Sequence, residues 1–424
     1  MLKPYTTASK EELSAQLSLC REKYEKLSAM GLKLNMARGK PGAKQLDIVS
    51  DLVECLDKDE LFAGNVDARN YGELMGLDCA REYFADVLGC RKEEVLAGGN
   101  ASLELMYNII STAYTHGLNG FEKPWCRLEK IKWLCPAPGY DRHFKITEHF
   151  GFELITVPMT STGPDMDMVE ELVKDEAVKG MWCVPKYSNP DGIVYSDETI
   201  RRIASLRCAA PDFVLMWDNA YCIHEFARDF VPFVDIVSLC RECGNPNMVY
   251  EFASTSKVTF PGAGISAMAC SEENLRYYQK ILSIRTIGYN KINQLMHVRY
   301  LKNKAHTLEL MKKHAEVLAP KFECVLRHLE NDIAPTGIAR WEKPEGGYFV
   351  SVFTEKGLAK RTLELCKNAG VVMTGAGATY PYGVDPDDSN IRIAPSYPEL
   401  DELEKAMEIF CLCMRIAALE KLSA

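Results

Sequence analysis

The segment YEFASTSKVTFPGAGISA, residues 250–267, holds the most informative corner of the 424-residue chain. An apolar run (Met248, Val249, Tyr250) gives way to small hydroxyl residues, then to Lys257, then to the turn-forming pair Pro261-Gly262. Lys257 is therefore expected just past a strand end, flanked by Ser254, Thr255 and Ser256. A lysine in so tight a corner loses water and can act as a nucleophilic amine, which a freely solvated lysine does not. A surface lysine in a polar loop fits the same residues, so the neighbouring stretches have to choose between the two.

On either side, apolar runs alternate with helical patterns. VLAGG (95–99) reads as a short strand running into Gly98-Gly99-Asn100, and a helix follows with Ala101, Leu105, Ile109 and Ala113 on one face. Glycines ahead of a helix N-terminus leave N–H groups free and aligned with the helix dipole, which suits a phosphate; a plain Gly-Asn cap has the same pattern. IKWLCPAPGYDRHF (131–144) reads as strand, turn and helix start, and FELITVPM (152–159) as the next strand. GMWCVPKYSNPDG (180–192) is an apolar strand ending near Asn189, and DFVLMWDNAY (212–221) is another, with Asp218 and Tyr221 at its end. Continuous apolar strands between helices indicate a mostly parallel sheet buried on both faces. Ligands of such sheets sit beyond the carboxyl ends of the strands. Asn100, Tyr140, Asn189, Asp218, Tyr221 and Lys257 all fall there.

The flanking regions are mixed. Residues 9–29 read as a helix, with Ser9 as cap ahead of Glu11 and Glu12. LKLNMARGKPG then ends in a turn carrying Arg38 and Gly39. Residues 46–62 and 73–88 read as helices separated by the polar GNVDARNYG, which contains Tyr71, and residues 291–331 as one long helical stretch. Strands GGYFVSVF (346–353), VVMTG and NIRIAPS (390–396) follow with an intervening helix, and a terminal helix closes the chain. The expected fold class is α/β, with a large domain at 46–300, a smaller α+β domain at 301–424, and an N-terminal arm at 1–45 that joins the smaller one.

Composition narrows the function. Hydrophobic residues at 47% and charged ones at 26% suit a globular protein with a large core. A net charge of -9 argues against nucleic acid or an anionic membrane surface as partner. No apolar run approaches the roughly 18 residues of a membrane span, and MLKPYTTASKEELSAQL has no apolar signal core. The sixteen cysteines are scattered, many inside apolar runs, which suits reduced thiols and a cytoplasmic location. Cys240-Arg-Glu-Cys243 has no second pair or nearby histidine, so no metal site is expected.

Together these segments resemble the active-site set of class I aminotransferases of pyridoxal-phosphate fold type I, closest to the aspartate-aminotransferase-like subgroup Ic. STSKVTFPGAG is similar to the family's lysine motif, YSNPDG to its Asn-Pro motif and DNAY to its Asp-x-Ala-Tyr motif. They stand in the family's order, with 29 residues from Asn189 to Asp218 and 39 from Asp218 to Lys257. The resemblance spans roughly residues 10–415 and implies a mostly parallel seven-stranded sheet between helices.

The resemblance also implies roles. Lys257 would bind the aldehyde of pyridoxal 5'-phosphate covalently and later carry a proton. Asp218 would pair with the pyridine nitrogen, Tyr221 and Asn189 would bond the ring oxygen, and Tyr140 would stack on the ring. Gly99, Asn100 and Ala101 would offer N–H groups to the phosphate, and Ser254 and Ser256 hydroxyls. Tyr71 would reach the phosphate of a neighbouring subunit, which implies a homodimer with shared sites. Arg392 would grip the substrate α-carboxylate as a bidentate fork, with the Gly39 backbone beside it. Arg285, 28 residues after Lys257, would meet a distal carboxylate across the dimer, with Arg38 as the second candidate. The implied reaction is amino transfer between an L-amino acid, aspartate foremost, and a 2-oxo acid such as 2-oxoglutarate. A lyase or synthase on the same fold is the alternative enzyme. An aminotransferase-like regulatory module is the alternative outside enzymes, and it would need a helix-turn-helix domain for which few residues precede the first motif.

One departure stands out. The family has Pro-Gly-x-Arg after the lysine, and that arginine binds phosphate. Here the run is Pro261-Gly262-Ala263-Gly264, with no guanidinium.

Overall fold

The computed structural model describes residues 4–423. The first three residues of the stretch read for an export signal, and the outermost residues of the two terminal regions, lie outside the described residues.

Helix α1 (Lys10–Ser28) begins at Ser9, whose hydroxyl accepts from the Glu12 N–H while the Glu12 carboxylate accepts from the Ser9 N–H. This reciprocal cap satisfies two backbone donors that a helix start leaves unpaired. The central sheet then builds from β1 (Val95–Ala97), β2 (Lys132–Ala137), β3 (Glu153–Thr160), β4 (Val178–Cys183), β5 (Val214–Asp218), β6 (Val249–Ser254) and β7 (Ser266–Cys270). Its order is β1-β7-β6-β5-β4-β2-β3, and the two-residue segment Gly163–Pro164 extends the β3 edge. Only β7 and that short segment run antiparallel to their neighbours. Every residue of β4 and β5 is buried, as strands covered on both faces require.

Helix α2 (Ser102–His116) follows β1, and α3 (Asp141–His149) follows β2. Helix α4 (Lys304–His328) leads to a three-stranded antiparallel sheet of β8 (Ala339–Trp341), β9 (Val350–Thr354) and β10 (Asn390–Ile393), in that order. The terminal helix α5 (Leu400–Ser423) packs against α1 and α4, burying Leu13, Cys20 and Leu27 of α1 in one apolar cluster. Leu34–Asn35 pairs in parallel with Val371–Val372, so the chain start and the C-terminal region share a core.

Three helical expectations need correction. The 46–62 stretch forms only Ala43–Asp47 and a 3₁₀ turn at Ser50–Glu54. Val49 and Leu52 alone turn fully inward there while Val53 is 64% exposed, so the buried spacing of three suits the tighter turn. The 73–88 helix starts only at Asp78, because Glu73 and Gly76 adopt positive φ and Gly76 lies against the Ala97 carbonyl. The 291–331 stretch breaks into Lys291–Leu301 and α4. Lys302 takes φ +60°, and Asn303 caps α4 by accepting from His306 N–H.

Candidate active site

The carboxyl ends of β4, β5 and β6 and the starts of α2 and α3 border a cavity of about 580 Å³. Chain topology brings distant segments to it. The start of α2 arrives through β1, which pairs with β7, whereas Lys257 sits in the turn between β6 and β7. Residues 37–40 and β10 close the opposite side.

Lys257 lines this cavity, with Nζ 5.0 Å from the centre of the Tyr221 ring and 5.9 Å from that of Tyr348. Burial pushes its amine below the usual lysine range, and the Asp218 carboxylate partly opposes that shift. Asp218 ends β5 and is 5% exposed. Its Oδ2 stands 3.0 Å from His143 Nε2, while its Oδ1 is buried without a hydrogen-bond partner among the described residues. His143 is itself buried and stacks on Trp182, with centroids 4.5 Å apart and planes 12° apart. A carboxylate can only accept, so the bond assigns the ring proton to Nε2. Burial raises the hydroxyl of Tyr221 well above the ordinary phenol range, and that of Tyr140 to about 12.

Arg392, on β10, is 7% exposed. Its guanidinium donates to Asp141 Oδ1 (3.1 Å), Asn189 Oδ1 (3.2 Å) and Thr374 Oγ1 (3.2 Å), and it lies 4.9 Å over the Phe349 ring. Its Nε is buried with no partner among the described residues. Thr374 in turn donates to the Ala37 carbonyl at 2.6 Å, tying the 37–40 loop to the arginine. Gly39 is the residue that lets this loop approach, since a Cβ there would stand 2.5 Å from Phe349 Cζ.

The phosphate side differs in detail from the sequence reading. Ala101 caps α2 and lines the cavity together with Ser102, Ser254 and Ser256, the last two 3.0 Å apart between hydroxyls. Gly99 stands just ahead, its carbonyl accepting from Ser266 Oγ. The Asn100 side chain turns away and accepts from Gly264 N–H at 2.8 Å. A Cβ at Gly264 would meet Thr255 Oγ1 at 3.1 Å and Asn100 Oδ1 at 3.2 Å, so the place of the family's arginine is closed by these two side chains.

Arg38 lines the cavity, but Tyr71 and Arg285 do not line it within this chain. Tyr71 is 83% exposed, and Arg285 donates to the hydroxyls of Tyr278 (3.1 Å) and Tyr289 (3.3 Å). Sequence reasoning missed His143, Asp141, Thr374, Phe349 and Arg142. Arg142 faces the cavity, and neither it nor Arg38 has a side-chain hydrogen bond or ion pair among the described residues. For His143 there was a signal: it falls three residues after Tyr140 at a helix start, hence on the same side of the helix.

The site accommodates pyridoxal 5'-phosphate on its own chemistry. A buried carboxylate with one unpaired oxygen suits a protonated ring nitrogen, a desolvated lysine suits an aldehyde, and a helix N-terminus with hydroxyls suits a phosphate. Comparisons with known proteins place the chain among the pyridoxal-phosphate enzymes of fold type I, and within them among the aminotransferases.

The chain belongs to the aspartate amino-transferase family, whose profile matches residues 8–424. An aspartate aminotransferase of Corynebacterium glutamicum is 47% identical over 401 residues, covering 94% of this chain and 93% of that protein. The crystal structure of an aspartate transaminase from the same species superposes with a TM-score of 0.97 at 44% identity, covering 100% of each chain. An α-aminoadipate aminotransferase of Thermus thermophilus, solved with N-(5'-phosphopyridoxyl)-L-leucine, matches in fold with a TM-score of 0.74 at 22% identity, covering 93% of this chain and 95% of that one. The protein is thus a pyridoxal-phosphate-dependent aminotransferase that acts on an amino acid and a 2-oxo acid. No helix among the described residues is long and apolar enough to cross a membrane.

Proposed function

We propose that the chain exchanges the amino group of L-aspartate with 2-oxoglutarate, working as a cytoplasmic homodimer with shared sites. The observation that carries the substrate choice is the 47% identity to an aspartate aminotransferase over nearly the whole chain. The cavity adds support, because Arg38 and Arg142 border it as cations without ion-pair partners among the described residues, beyond the arginine suited to the α-carboxylate.

In this reading the cofactor, when bound, supplies an aldehyde for amines and a ring that withdraws electrons. Lys257 would hold that aldehyde and, once released, take the proton from the substrate α-carbon through Nζ; burial lowers the proton affinity of this amine, the direction that a base needs. Asp218 would hold a proton on the ring nitrogen through Oδ1, which has no partner among the described residues, while His143 fixes Oδ2. Tyr221 and Asn189 would bond the ring oxygen, and Tyr140 would pack on the ring face. The N–H groups of Gly99, Asn100 and Ala101 would form a backbone cup for the phosphate, joined by the hydroxyls of Ser254 and Ser256. Arg392 takes the α-carboxylate on its unpaired Nε side, with the Gly39 loop above it. Arg285 and Tyr71 act on the neighbouring subunit's site, and Arg38 is the alternative for the distal carboxylate.

The dimer has support in exposed apolar surface. Tyr71, Ile284 and Ile287 are 83%, 84% and 62% exposed, and Lys291 Nζ bonds the Gly72 carbonyl so that their segments adjoin. An apolar patch of this kind is typical of a surface that meets a partner. Residues 46–300 form the cofactor-binding domain and 301–424, with 1–45, the smaller one, in keeping with the shared core of α1, α4 and α5.

A panel of amino acids, mixed one at a time with the cofactor-loaded enzyme without oxo acid, tests the substrate choice by its colour change. Aspartate and glutamate should convert the cofactor fastest, by about tenfold or more over alanine and phenylalanine. Faster conversion by an aromatic or branched amino acid would reject the aspartate reading.

A further inference from the structure

Far in sequence from the catalytic motifs, three side chains of different type converge where α4 packs on α5. Cys324 Sγ, a ring nitrogen of His328 and a Glu404 carboxylate oxygen all lie within 4.8 Å of one another. Cys324 and His328 sit at i and i+4 of α4, so they share one helix face, and Glu404 comes from α5. Cys324 is 2% exposed. His328 has 14% and Glu404 40% of the side chain exposed, which leaves an entry path from solvent.

The surroundings resemble the outer shell of a metal site. His328 Nδ1 stands 3.2 Å from Asp332 Oδ2, and Nε2 stands 2.9 Å from Glu404 Oε2. A carboxylate on the far nitrogen of a histidine fixes its tautomer and turns the other lone pair to a metal. The remaining Glu404 oxygen is held by Arg327, as ligating carboxylates commonly are by a further donor. Zinc bonds of about 2.0 Å to nitrogen and oxygen and 2.3 Å to sulfur set tetrahedral ligand separations of roughly 3.3–3.6 Å. Nε2 and Oε2 need to part by only a few tenths of an ångström to reach that spacing.

We propose that Cys324, His328 and Glu404 bind a divalent transition-metal ion, zinc(II) foremost, with water in the fourth position. Binding releases two protons to solvent, the Cys324 thiol proton and the His328 Nε2 proton that faces Glu404, while His328 keeps its other ring proton on Nδ1, donated to Asp332. The ion has no part in amino transfer and links α4 to α5. The sequence reading missed it because Glu404 lies 76 residues from His328.

The test uses the cofactor-loaded enzyme, stripped with a chelator and then dialysed against low-micromolar zinc. One zinc per chain should be retained, with a raised Tm and unchanged turnover, and cobalt(II) in its place should show the visible bands of four-coordinate cobalt–thiolate. Cys324→Ser and Glu404→Gln should each lose the ion, whereas Cys243→Ser, in the separate Cys-x-x-Cys pair, should retain it. The proposal fails if the unmodified enzyme retains no zinc, or if Cys324→Ser retains its zinc and the cobalt bands. Glu404→Gln keeps the question open to measurement if Cys324→Ser does not fold, since full retention by Glu404→Gln also overturns the proposal.

Discussion

Asp218 and His143 meet at 3.0 Å in the protein interior, and the contact uses only one of the two carboxylate oxygens. A positioned charge of this kind, kept from water, commonly contributes on the order of 10²–10³ to a rate. Asp218→Asn should therefore lower kcat by that amount while cofactor still binds, and His143→Ala should lower it less, by about tenfold. Steady-state kinetics with cofactor content read in parallel checks both. Activity of Asp218→Asn within twofold of the parent would assign the residue to structure.

Lys257→Ala removes the amine proposed to hold the cofactor aldehyde. The protein should fold, lose the yellow of the lysine-linked cofactor, and show no turnover. Visible absorbance and a coupled assay read both effects, and normal turnover of this variant would reject the whole mechanism.

Arg285→Met should lower kcat/KM for aspartate by about 10- to 10³-fold and leave alanine nearly unaffected, since stranding a buried charged partner can cost about 3–5 kcal/mol. Equal losses on both substrates would place Arg285 in the fold or in subunit contact. No loss on either would move the role to Arg38, and the same substrate pair applied to Arg38→Met and Arg142→Met locates the cation.

Gly39→Ala drives a methyl to 2.5 Å from the Phe349 ring, on which Arg392 lies. The ring must move, and the guanidinium with it. KM for every amino acid should rise about tenfold, with far-UV circular dichroism unchanged. An unaltered KM would show that the loop absorbs the methyl without disturbing Arg392.

His314 is buried, and burial pushes its imidazole down to about 4. Its Nε2 donates to the Val258 carbonyl at 3.1 Å, which leaves Nδ1 facing the Gln45 amide, itself a donor, at 3.4 Å. Between pH 6.5 and about 4 the unfolded chain binds a proton at this residue that the folded chain does not. Stability therefore falls as pH drops through that window, by up to roughly 3 kcal/mol. His314→Gln should flatten this acid limb in urea titrations. A limb as steep as the parent's would assign it to other groups.

The strand-end residues were legible because each terminates an apolar run, and a mostly parallel sheet puts such ends on one side. Partners across the cavity were not. Asp141 meets Arg392 across 251 positions and Thr374 meets Ala37 across 337, distances over which no spacing rule operates. The reversed direction of β7 was equally hidden, since its residues are as apolar as those of its parallel neighbours. Arg285 and Tyr71 came from resemblance alone, and a single chain places both outside its own cavity.

The pairing of β1 with β7, described above as a matter of strand order, also governs when the site can come into being. Ala97 pairs with Ala267, so a chain emerging from the ribosome carries the start of α2 long before its neighbouring strand exists. Arg392 and the Gly39 loop lie further apart still, and closing loops of that length is slow. A growing chain that stops short of β10 carries Lys257 and Asp218 but not Arg392, so the residues proposed for the cofactor are made before the one proposed for the α-carboxylate.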